Sequence, residues 1–119
     1  MTRLAQQEAA VSSDVVDGRT EVITLDGEFD LSNAPEVEQR LCDALGPERA
    51  NVLVDLRGVR FLDLTMLQVL IRGMTQAKER GAEFGLIRPH PLVWRVFVLT
   101  GLSERFATYS SVQDALSRA

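Results

Sequence analysis

Between Val52 and Ile87 the apolar residues change period twice, and this restricts the fold more than any other feature of the chain. Val52-Leu53-Val54-Asp55-Leu56 is a short, nearly continuous apolar run rich in β-branched residues. That is the pattern of a strand buried on both faces of a parallel sheet. Leu67, Leu70, Ile71, Met74 and Ala77 then recur at helical spacing, within a helix expected over 64–80. Phe84-Gly85-Leu86-Ile87 returns to the buried-strand pattern. Asp63 is placed to cap the helix and Gly81 to stop it. A strand, a helix and a second buried strand form a βαβ unit, which needs a parallel sheet covered by helices.

The flanking segments extend the alternation. Strand-like pieces near 9–16 and 20–26 are separated by Asp17-Gly18, a strong hairpin signal, and Gly27 is expected to interrupt the second. A helix is expected from Ala34 to Leu45, capped by Ser32 or Asn33, with Pro35 in its first turn and Gly46-Pro47 as its stop. Val37, Leu41, Ala44 and Leu45 fall on its apolar face. Pro91 opens a helix that runs to Leu99 and ends at Thr100-Gly101, and a short strand follows near Ala107-Thr108-Tyr109. Ser110 is expected to cap a last helix over 111–118, with Gln113 in the capping-box position. The order ββ-α-β-α-β-α-β-α reads as a single α/β domain over 9–119. Its sheet is mixed but mostly parallel, with an N-terminal hairpin and about four helices. Residues 1–8 are polar and expected to be a flexible N-terminus.

Composition narrows the function classes. A chain of 119 residues holds one domain. Its net charge of −4 divides into −7 over residues 1–50 and +3 over 51–119. There is no concentrated basic face of the kind that binds nucleic acid, so no direct nucleic-acid partner is expected. No apolar run reaches the roughly 18–20 residues of a membrane span, and the first residues lack the apolar segment of a signal peptide. A single cysteine, Cys42, cannot form an internal disulfide and fits a cytoplasmic location. Cys42 lies beside the apolar stripe of the first helix and is expected to be buried or half-buried. Arg outnumbers Lys 12 to 1, a bias found in GC-rich bacterial genomes.

Reactive motifs are missing from the sequence. It has no G-x-x-x-x-G-K-[ST] phosphate loop, no G-x-G-x-x-G turn and no H-E-x-x-H. With one His and one Cys, carboxylates would have to supply nearly every ligand of a zinc site, so no metal and no cofactor are expected. His90, between Pro89 and Pro91, reads as part of a rigid exposed turn, and Trp94 as a core or half-buried helix residue. Asp55, near the end of a buried strand, is either a site residue or a partner for the backbone at Arg57-Gly58. No nucleophile stands beside a base, and an enzyme is not expected.

Four segments in order carry a resemblance. Gly27-Glu28-Phe29-Asp30, the stretch from Val52 to Asp63, Gly81-Ala82-Glu83-Phe84-Gly85-Leu86-Ile87, and the run from Val93 to Thr100-Gly101-Leu102 resemble the STAS domain signatures. STAS is the fold of bacterial anti-sigma factor antagonists and of the cytoplasmic tails of sulfate transporters. The resemblance implies a non-enzymatic regulator that binds a switch-kinase-type anti-sigma factor and so frees a sigma factor. It places the docking surface on the 28–33 loop and the start of the second long helix: Glu28, Asp30, Ser32, Asp63, Leu64, Thr65 and Met66.

The family pattern at that helix start is D-S-[ST]-G-L, whereas this chain reads Asp63-Leu64-Thr65-Met66-Leu67. The serine that is phosphorylated in typical antagonists aligns with Leu64, the following hydroxyl is kept as Thr65, and the glycine has become Met66. A phosphate there would sit at a helix N-terminus and put about −1.5 to −2 charges into the docking surface. Leucine cannot accept it, so the usual switch is expected to be missing, with Thr65 as the one neighbouring hydroxyl. Leu64 and Met66 would add apolar docking surface if they face solvent, or core if they fold inward. Two other readings stay open: a STAS subunit of a stressosome-like or membrane lipid-transport assembly, and a small-ligand sensor taking a nucleotide or lipid near Asp55. Homodimerisation is also left open.

Overall fold

β1 (Ala10–Val16) and β2 (Thr20–Phe29) form the antiparallel hairpin, with Val16 opposite Thr20. Asp17 and Gly18 both take positive φ, 49° and 77°, which matches a tight turn to the twist of the strands. Asp17 fixes the turn through Oδ1, which accepts the backbone N–H of Arg19 at 3.0 Å and of Thr20 at 3.1 Å. The computed structural model describes residues 9–46 and 51–117; the flexible segment expected over 1–8, Pro47 and residue 118 lie outside these.

The remaining elements are α1 (Ala34–Ala44), β3 (Asn51–Leu62), α2 (Leu64–Glu79), β4 (Phe84–Ile87), α3 (Pro91–Leu99), a 3-10 turn (Leu102–Glu104), β5 (Ala107–Tyr109) and α4 (Val112–Ser117). The sheet order is β1-β2-β3-β4-β5; the hairpin is antiparallel and every other pair is parallel. The mixed α/β sheet read from the sequence is therefore the observed one.

Alternating residues of the central strands sort the core into two layers. Ile23, Leu25, Val52, Val54, Leu56 and Leu86 join the main core with Val37 and Leu41 of α1, Leu67 and Leu70 of α2, and Val93 and Phe97 of α3. Val22, Leu53 and Ile87 point the other way, where Ala115 of α4 packs with them and Tyr109 and Leu116 flank them. A strand's period of two makes this division unavoidable. Gly73 lets three elements meet: a Cβ there would stand 3.0 Å from the Phe84 ring and 3.1 Å from Leu41 Cδ1. Trp94 is half-buried and stacks on Phe97, with ring centroids 4.6 Å apart.

Four local expectations are corrected. Gly27 does not interrupt β2. It takes φ 114°, a conformation open to glycine, and the strand continues through Glu28 and Phe29 after register shifts against β3. β3 does not end at Leu56, because Val59 and Leu62 still face the core and pairing with β2 carries the strand to Leu62. Cys42 is exposed: one residue past buried Leu41, it is turned about 100° around the helix. The cap of α4 is Ser111, whose Oγ accepts the N–H of Asp114 at 2.9 Å; Ser110 and Gln113 do not fill the expected roles.

Candidate functional site

The end of β2 and the entry to α2 are held side by side by the β2–β3 pairing. Glu28 lies in register with Phe61, Phe29 with Leu62, and the Asp63 N–H donates to the Phe29 carbonyl at 3.3 Å. This sets the turn after Phe29 next to the first turn of α2, the two segments that the resemblance assigned together.

The turn is built by Asp30 and Asn33. Asp30 Oδ1 accepts the backbone N–H of Ser32 at 2.9 Å and the Ser32 hydroxyl at 2.6 Å. The Asp30 carbonyl accepts the N–H groups of Asn33 and Ala34, so α1 starts from it. Asn33 sits at the cap position but makes no side-chain cap bond, nor does Ser32 supply one. Its amide instead donates to the Glu28 carbonyl at 2.9 Å, and its Oδ1 accepts the Asp30 N–H at 2.9 Å. With its polar groups committed inward, the turn presents Leu31 to solvent.

At the α2 entry, Asp63 is extended and caps the helix as expected. Its Oδ1 accepts the Met66 N–H at 3.2 Å, and its carbonyl accepts the N–H of Leu67 at 3.2 Å. Leu64 points outward, Thr65 is half-buried and Met66 is fully buried. Of the two readings open for Met66, the inward one is observed, so its inclusion among the docking residues is corrected. Met66 stacks with the stripe of Val69 and Leu70, three and four residues on, so its side chain belongs to the core.

Two surface residues escaped the sequence reading. Leu31 and Phe61 are 71% and 50% exposed, beside Leu64 at 64%; Leu31 follows Asp30 in the turn, Phe61 lies in register with Glu28, and Leu64 follows the capping Asp63. A lone leucine in a polar turn was the available signal for Leu31. Phe61 gave none, because its exposure depends on how far β3 extends.

Asp55 is committed to Arg57. Its Oδ1 accepts the Arg57 backbone N–H and Nε–H at 3.0 Å each, and its Oδ2 accepts Nη2–H at 2.8 Å. That hydrogen bonding raises the Arg57 guanidinium above its already high value, burial opposing it. His90 is exposed in its Pro-flanked turn, and its Nδ1 accepts the Leu92 N–H at 3.0 Å, capping α3. Among the described residues no three His, Cys, Asp or Glu side chains stand close enough to hold a metal ion.

Residues 12–115 match the STAS domain family over almost the whole described fold. The chain belongs to the STAS family. The anti-sigma-F factor antagonist RsfB of Mycobacterium tuberculosis is 26% identical over 96 residues, covering 81% of this chain and 78% of RsfB. The crystal structure of an anti-sigma factor antagonist from Mycobacterium paratuberculosis is 28% identical, covers 96% of each chain and superposes with a TM-score of 0.83. Bacillus SpoIIAA in its phosphorylated form shares the fold at 20% identity, with a TM-score of 0.73 over 92% of this chain and 98% of SpoIIAA. The chain is thus an anti-sigma factor antagonist-like STAS domain. No helix among its described residues is long and apolar enough to cross a membrane.

Proposed function

We propose that this STAS domain docks on a switch-kinase-type anti-sigma factor through the β2–α1 turn and the α2 entry, and does so without serine phosphorylation. The observation that carries the reading is the β2–β3 pairing that sets the turn after Phe29 beside the α2 entry, two segments that expose Leu31, Phe61 and Leu64 and carry Glu28, Asp30 and Asp63. Apolar groups ringed by charge give a contact its energy at the centre and its orientation at the rim. The relatives named as anti-sigma factor antagonists supply the class of partner.

The absence of a hydroxyl at Leu64 supports constitutive docking. The neighbouring hydroxyl, Thr65, is half-buried and lies a further 100° or so around the helix, so a kinase site shaped for position 64 would meet it poorly. Control then falls to protein level or to the partner. Mixing the protein with its cognate kinase-type partner and ATP, followed by intact-mass and affinity measurements, tests both halves. The expected result is unmodified protein that binds, with Leu64→Ser becoming phosphorylatable. Stoichiometric phosphate on Thr65 with loss of binding overturns the constitutive reading, and absence of any complex overturns the docking reading.

A further inference from the structure

β4 ends at Ile87 and pairs with β3 only as far as Asp55, so the edge of β3 beyond that point has no strand beside it on the β4 side. The start of α3 lies there instead, and between them opens a groove of about 440 Å³. This is the size range of small-ligand sites, which combine an apolar wall with a few convergent polar groups. Val59 and Val93 belong to the core behind the groove, and Leu92, 70% exposed, stands at its rim.

The polar groups are mostly donors. Arg57 uses Nε and Nη2 on Asp55, which leaves Nη1 for another acceptor. Arg60 is 60% exposed, makes no hydrogen bond to a described residue, and has only a stretched ion pair of 3.9 Å with Asp26. His90 accepts the Leu92 N–H at Nδ1, so its remaining ring nitrogen carries the proton and is a donor. Asp26, 64% exposed, is the one carboxylate among the described residues that line the groove. Gly58 adds no side chain of its own: a Cβ there would come within 3.1 Å of the Asp26 carboxyl, so the floor stays open.

We propose that this groove binds a small organic phosphate, with the phosphate on Arg60, His90 and Nη1 of Arg57 and the apolar body against Leu92. Arginine donors match phosphate oxygens in charge and geometry, and a loosely paired arginine gives up little to make the exchange. The groove is lined from β2, β3 and the start of α3 by none of the docking residues, and the proposal does not depend on the function proposed above.

Phenyl phosphate and inorganic phosphate are the probes, followed by backbone-amide NMR shifts and titrated affinity. Phenyl phosphate should shift the amides of residues 57–60 and 90–93 and bind about tenfold or more tightly than inorganic phosphate. Arg60→Gln should weaken phenyl phosphate by about tenfold, the loss of one charge-assisted contact. Leu92→Ser should bring phenyl phosphate down to the level of inorganic phosphate. Both side chains are exposed, so unchanged melting temperatures should confirm intact folds. No shift at about 10 mM probe, shifts confined to other residues, equal binding of the two probes, or binding indifferent to Arg60→Gln each overturns the proposal.

Discussion

The Asp63 carboxylate accepts the backbone N–H of Met66 at 3.2 Å, and the Met66 side chain is fully buried beneath that bond. The first turn of α2 is therefore held twice, by a cap on its backbone and by an anchor in the core. Leu64, between them in sequence, does neither, and 64% of it remains exposed. A helix entry fixed in this way presents one apolar side chain on a rigid support, which limits the entropy lost when a partner binds.

Leu64 and Met66 should consequently separate in mutagenesis. Met66→Ala should destabilise the fold by about 2–5 kcal/mol, as for other buried large-to-small changes. Leu64→Ala should change stability by less than about 0.5 kcal/mol while weakening partner binding. Denaturant titration beside a binding assay checks the pair, and the reverse pattern would show that the α2 entry has been assigned the wrong way round.

Asp63→Ala should cost about 1 kcal/mol, because the Met66 N–H loses its side-chain acceptor. Asp63→Ser, which keeps a capping oxygen, should recover most of the loss. If serine is no better than alanine in equilibrium unfolding, the cap contributes nothing.

Asp30→Ala removes the acceptor for both the N–H and the hydroxyl of Ser32 and loosens the turn that presents Leu31. The expected stability loss is about 1 kcal/mol, for hydrogen bonds close to water. The expected loss of partner affinity is larger, about 2 kcal/mol or thirtyfold. Calorimetric titration of the folded protein decides this: unchanged affinity together with a collapsed melting temperature would make Asp30 purely structural.

Arg57→Ala leaves the Asp55 carboxylate, 6% exposed as a residue, without its guanidinium partner. A loss of about 1–3 kcal/mol is expected, the cost of an under-satisfied buried acceptor when its partner is half in water. Arg57→Lys should recover only part of it, because an ammonium cannot donate from two nitrogens at once. Chemical denaturation of the three proteins gives the order; equal stability of all three would mean that Asp55 is solvated well enough by itself.

At several places local chemistry decided the outcome and the sequence alone determined it, although the caps of α1 and α4 fell to other groups than the sequence suggested. The period change between Val52 and Ile87, the Asp17-Gly18 turn and the Asp63 cap each act over a few residues, so the element order and the mixed sheet could be read in advance. Tertiary pairing decided the rest. Gly27 and the end of β3 depend on a register set across two strands, which converted an expected loop into strand and put Phe61 on the surface. Met66 turned inward with Val69 and Leu70, on the side of α2 that packs against the core, and which side that is follows from how the whole helix packs. Burial follows from how whole elements pack, whereas caps and turns satisfy backbone groups two or three residues away, and only the latter are written locally in a chain.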